Sequence, residues 1–111
     1  MASGTILPGQ DIETGKYTFN TDYVSSSTIN RYYKIGHIVF VPFNFKIETA
    51  QAGVILMQGL PAPMVQIAFT VSHAQPRIAA CILKTNGNIV TDAAPSSVGW
   101  YDGCLVYFSA K

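Results

Sequence analysis

Charge is what this chain has least of. Charged side chains make up 12% of its 111 residues, about half the share of an average soluble protein. The seven Lys and Arg residues are scattered and the formal net charge is +1. Nucleic-acid binding needs cations clustered against phosphates, so that class is set aside. Long hydrophobic runs are missing as well. None nears the roughly 20 residues of a membrane helix, so no membrane insertion is expected. The opening MASGTILPGQ has neither the basic head nor the apolar middle of a secretory signal.

Cysteine and histidine are scarce. Cys81 and Cys104 fall on strand-like segments and either face each other or stay free. Free thiols acting as small hydrophobes are favoured, because disulfide-dependent small domains carry more cysteines. His37 and His73 stand at turns or strand ends with no Cys, Asp or Glu at ligand spacing, so no metal site, cofactor or general base is expected. Asp11, Glu13, Asp22, Glu48, Asp92 and Asp102 are the carboxylates. Nothing in the sequence pairs any two of them as a glycosidase would need. The serines cluster in Ser25-Ser26-Ser27 and Ser96-Ser97, which is turn chemistry and not a Gly-x-Ser-x-Gly elbow. Phosphate and calcium loops are absent too. The chain does not read as an enzyme.

Helical periodicity is the last absence. What is present is period-two alternation punctuated by turn residues. In Val65–Ser72, Val65, Ile67, Phe69 and Val71 are expected to face a core and Gln66, Thr70 and Ser72 to face out. Ile78, Ala80 and Ile82 are expected to continue that inward face. Asn86-Gly87 predicts a type I′ hairpin and Gly36-His37 a II′ hairpin. The prolines of Gly59-Leu60-Pro61-Ala62-Pro63 mark a loop. Eight or nine strands are expected in an all-β, antiparallel, jelly-roll-like sandwich. Residues 15–111 form one domain, after an N-terminal extension or linker over 1–14.

The segment YYKIGHIVFVPFNFKI, residues 32–47, is apolar on both faces. With the Gly36-His37 turn as register, Ile35 faces Ile38 and Tyr33 faces Phe40. The opposite face carries Tyr32, Val39, Val41, Phe43, Phe45 and Ile47. The closing strand is also two-sided, with Cys104, Val106 and Phe108 against Leu105 and Tyr107. A sandwich needs one apolar face per sheet. Other copies of the chain are the favoured cover for the surplus, with the loop 59–64 as the internal alternative. Tyr33, Ile38, Phe40, Leu105 and Tyr107 are the expected oligomer interface.

Gly99-Trp100-Tyr101-Asp102-Gly103 holds the sole tryptophan beside a tyrosine and an acid. Trp100, Tyr101 and Asp102 are the candidate ligand residues, since an indole face beside a carboxylate suits a sugar ring. The alternative, which weighs more on packing grounds, makes Trp100 a core cap and Asp102-Gly103 a turn.

Lys34-Ile35-Gly36-His37-Ile38-Val39-Phe40-Val41 resembles the K-x-G-N-x-V-x-V strand pair of small β domains at the ends of bacteriophage tail fibres, with His37 in place of Asn. Gly59-Leu60-Pro61 resembles their Gly-Leu-Pro loop, and the Asn86-Gly87 hairpin and aromatic closing strand follow in order. The resemblance covers roughly residues 15 to 110. It implies a homotrimeric head or tip domain of a virion fibre. Such a domain is joined to the rest of a tail fibre and assembled in the host cytoplasm. It would attach to bacterial cell-wall polysaccharide, teichoic acid or a protein receptor. A purely structural trimerisation domain and a monomeric carbohydrate-binding module are the rival expectations.

Overall fold

The computed structural model describes residues 12–73 and 77–111; the MASGTILPGQ segment lies outside them. The described residues are all-β, with no helix. The ten strands are β1 (Glu13–Lys16), β2 (Thr18–Phe19), β3 (Val24–Ser27), β4 (Arg31–Ile35), β5 (Ile38–Ile47), β6 (Ile55–Gln58), β7 (Ile67–His73), β8 (Arg77–Leu83), β9 (Ile89–Thr91) and β10 (Gly99–Phe108). They form one antiparallel sheet in the order β1-β4-β5-β10-β7-β8-β9-β6-β2, with β3 also on β5.

The sheet curls until its ends nearly meet. β1 pairs with β4 and β2 with β6, so the two outermost strands are consecutive pieces of chain separated only by Tyr17. That residue is fully buried. Its amide donates to the Asn30 carbonyl at 3.0 Å and its hydroxyl to the Pro42 carbonyl at 2.8 Å. Burial raises its phenol pKa well above the ordinary value. Near-closure removes most of the exposed backbone that a ten-stranded open sheet would leave at its edges. Glu13 and Thr14, expected in the extension, are part of this sheet through Lys34 and Tyr33.

β5 and β10 are the backbone of the fold, ten residues each and paired from Ile47–Gly99 to Ile38–Phe108. Directly paired residues share a face. The inward face of β5 is Val39, Val41, Phe43, Phe45 and Ile47, all buried. The β4–β5 hairpin also has the expected register, Tyr33 to Phe40 and Ile35 to Ile38. β10 runs unbroken through Asp102 and Gly103, where a turn was the alternative. Gly103 sits opposite Phe43, whose ring would come within 3.3 Å of any Cβ there. The missing side chain lets the ring lie against the strand.

Two expected patterns differ in detail. On β8 the interior is filled by Ala79, Cys81 and Leu83, because they pair with Val71, Phe69 and Ile67. Ile78, Ala80 and Ile82 therefore point outward, one residue out of the expected phase. Val65, expected inside, is exposed at the approach to β7. In the second hairpin the Gly87 amide donates to the Lys84 carbonyl at 2.9 Å. Thr85-Asn86 is thus the turn centre and Gly87 (φ 87°) the left-handed residue after it. An added Cβ on Gly87 would meet the Leu60 carbonyl oxygen at 2.1 Å, so this turn is seated on the 59–64 loop.

Candidate functional site

The outer face of the β5–β10 pair divides into two halves of different chemistry. Toward the start of β10, Trp100 lies opposite Lys46 and Asp102 opposite Asn44. Further along, Cys104 lies opposite Pro42, Val106 opposite Phe40 and Phe108 opposite Ile38. The first half is polar with one large aromatic, and the second is apolar.

The polar half contains a shallow hollow of about 280 Å³ lined by Thr28, Asn44, His73, Trp100 and Asp102. β10 supplies Trp100 and Asp102, β5 supplies Asn44, and the segment between β3 and β4 supplies Thr28, whose amide donates to the Asn44 carbonyl at 3.0 Å. His73 ends β7, brought in by the Ser72–Asp102 pair. Its Nδ1 lies 3.1 Å from Asp102 Oδ2. An ionised carboxylate only accepts, so this ring nitrogen carries the hydrogen and donates. Trp100 is half-buried, and its carbonyl accepts from Arg77 Nη1 at 3.0 Å.

Of the three expected ligand residues, Trp100 and Asp102 share this hollow and Tyr101 does not. Tyr101 is fully buried, its ring stacked on Phe45 at 6.2 Å and its hydroxyl donating to the Ser97 carbonyl. Alternation along β10 turns it inward between two outward neighbours. Thr28, Asn44 and His73 are site residues that no local signal marks, because they reach Trp100 only through sheet pairing.

The apolar half continues across the hairpin to Ile35 and Tyr33. Ile35, Ile38, Val106 and Phe108 are 38%, 37%, 54% and 60% exposed, and Tyr33 and Phe40 are partly exposed. Tyr33, Ile38 and Phe40 are thus on the outer surface. Leu105 and Tyr107 are not. Their partners Val41 and Val39 point inward, so both are buried in the core. The Tyr107 hydroxyl donates to the Pro61 carbonyl at 2.8 Å, and burial raises the pKa of its phenol. Val106 and Phe108 occupy the outer positions in their place. The 59–64 loop does dock on β10, through Met64 N to Phe108 O at 3.0 Å, yet it leaves the Val106 and Phe108 side chains exposed.

A second hollow of about 420 Å³, lined by Glu13, Tyr32, Lys34, Leu60 and Pro61 among others, opens beside the 59–64 loop. The Lys34 ammonium there is already held by the Gly36 carbonyl at 2.7 Å, with the Glu13 carboxylate at 3.9 Å. The two cysteines are free, Cys81 buried and Cys104 exposed. Burial pushes the Cys81 thiol up to about 12.

No protein-family model, curated protein or solved structure matches this chain.

Proposed function

We propose that this domain is the receptor-binding tip of a virion fibre, a homotrimer that attaches to a bacterial surface glycan and catalyses no reaction. The observation that carries this reading is the division of one sheet face into an exposed apolar half and a polar, tryptophan-bearing half. Contiguous exposed apolar surface on a small domain marks a contact surface, and closed homo-oligomers are the commonest way to cover it. In the trimer the apolar half packs between copies and the hollow stays open to a receptor. For the protomer we propose a jelly-roll-like sandwich in which β4-β5-β10 faces β6-β9-β8. The support is that inward side chains from both walls meet in one core cluster. The likeness of the Lys34–Val41 and Gly59–Pro61 segments to fibre-tip domains points the same way.

Light scattering on a sizing column, followed by adhesion of the labelled protein to bacterial envelopes, tests the proposal. A mass of three chains with adhesion supports it. A single-chain mass without adhesion overturns it. A trimer that adheres to nothing favours the structural alternative, a fibre-registering domain, for which the apolar half alone is sufficient.

A further inference from the structure

We infer that the hollow beside Trp100 takes one uncharged pyranose ring and discriminates against acidic sugars and phosphodiesters. This rests on the attachment reading above and narrows its receptor.

The geometry begins with register. Asp102 and Asn44 are directly paired, so their side chains rise from the same face with Cβ atoms about 5 Å apart. Trp100 lies two residues along the same strand and so stands on that face roughly 7 Å away. An indole surface flanked by a carboxylate and an amide is thereby built on two adjacent strands and not on loops. At about 280 Å³ the hollow is just below the roughly 300–1,000 Å³ of sites for drug-sized ligands, a size that suits one ring. The C–H face of a pyranose packs on the indole, and the hydroxyls at its edge meet the polar pair.

The hydrogen-bonding inventory fits hydroxyls. Asp102 Oδ2 is engaged by His73, which fixes the carboxylate plane and leaves its other oxygen free to accept. Asn44 offers both a donor and an acceptor, as does the Thr28 hydroxyl. Neighbouring sugar hydroxyls donate and accept in turn, and a bond to an ionised carboxylate is the stronger kind.

Charge supplies the discrimination. The Asp102 carboxylate is the only acidic group among the residues lining the hollow. The nearby cations do not line the hollow. Lys46 lies 3.4 Å from Glu48, while Arg77 binds Ser97 Oγ at 3.2 Å and the Trp100 carbonyl. A uronate or phosphodiester would bring a second negative charge against Asp102 with no free cation in the lining to receive it.

Trp100 is the sole tryptophan, so its fluorescence and its indole N–H resonance report on the hollow directly. The intact protein is titrated with methyl glycosides of glucose, galactose, mannose and N-acetylglucosamine, then with methyl glucuronide, methyl galacturonide and glycerol phosphate. The expected result is a saturable response to at least one neutral glycoside, with the acidic probes weaker by about tenfold or more. Trp100→Ala should abolish that response while Asp102→Asn and Asn44→Ala weaken it. Asp102→Asn should also shrink the neutral-over-acidic preference, which a merely structural role would leave unchanged. Should Trp100→Ala fail to fold, the other two variants carry the test. Equal or tighter binding of an acidic probe overturns the inference. So does a silent Trp100 with every neutral glycoside while the protein still adheres to envelopes, and in that case the attachment reading survives. Loss of both adhesion and glycoside binding defeats the two together.

Discussion

His73 and Asp102 meet beside the Ser72–Asp102 pair that joins β7 to β10, with Nδ1 and Oδ2 3.1 Å apart. Both side chains are about half exposed, 45% and 47%, so the pair orients a carboxylate and contributes little to stability. Exposed ion pairs are worth roughly 0–1 kcal/mol. His73→Ala should cost less than about 1 kcal/mol in urea unfolding yet weaken binding in the hollow through a freely rotating Asp102. Unfolding by several kcal/mol would show that the pair instead holds β7 to β10.

Tyr17 is the clasp between the ends of the sheet. Tyr17→Phe leaves the Pro42 carbonyl without its 2.8 Å donor and should cost about 1–3 kcal/mol. Tyr17→Ala also empties a fully buried site and should cost about 3–5 kcal/mol, as aromatic truncation in a core does. Equilibrium denaturation measures both. Equal losses from the two variants would mean that the ring packs poorly.

The two faces of β10 should respond oppositely to charge. Val106→Asp and Phe108→Asp alter exposed positions and should give folded protein of single-chain mass. Leu105→Asp places a carboxylate in the core, where only 8% of the residue is exposed. An unpaired buried charge of that kind costs several kcal/mol, so the chain should fail to fold. Circular dichroism with light scattering separates the outcomes, and unaltered trimers from both exposed-face variants would sink the interface assignment.

Alkaline pH should destabilise the fold. Tyr17, Tyr107 and Cys81 are all pushed upward by burial, the thiol from 9.0 to about 12. An acid whose folded pKa exceeds its unfolded value contributes stability that is fully present below the unfolded value and lost as pH rises toward the folded one. The urea midpoint should therefore hold up to about pH 8.5 and fall steadily above it, since free thiols and phenols titrate near 8.5 and 10. Tyr107→Phe should flatten that fall. A midpoint unchanged at pH 11 would contradict the burial of these groups.

The thiols should separate by accessibility. Cys104 is exposed and Cys81 is buried with a raised pKa. Reaction with a disulfide reagent at pH 8 should modify Cys104 quickly and Cys81 only on unfolding, because the thiolate is the reactive form. Simultaneous modification in the native state would place Cys81 outside the core.

Much of this was legible in the residues. The absence of a helical period and the alternation along 65–72 announce β-structure. Gly36-His37 announces the β4–β5 register, because a two-residue turn leaves the strands no other pairing. Residues 32–47 and 104–108 declare themselves apolar on both faces. The phase of β8 was not legible. Ile78-Ala79-Ala80-Cys81-Ile82-Leu83 is apolar at every position, so alternation alone names no inner face and pairing with β7 decides it.

The sequence by itself determined the strand character, the local turns and the surplus of apolar surface, since these depend on neighbours a few residues apart. Only the tertiary structure decided that Leu105 and Tyr107 turn inward while Val106 and Phe108 stay out. It alone made Tyr17 the closure and brought Thr28, Asn44 and His73 to Trp100 and Asp102. Those outcomes depend on long-range register. Slipping a two-sided strand by one residue exchanges faces of nearly equal hydrophobicity, so the choice falls to the pairing of the whole sheet and not to the strand's own residues.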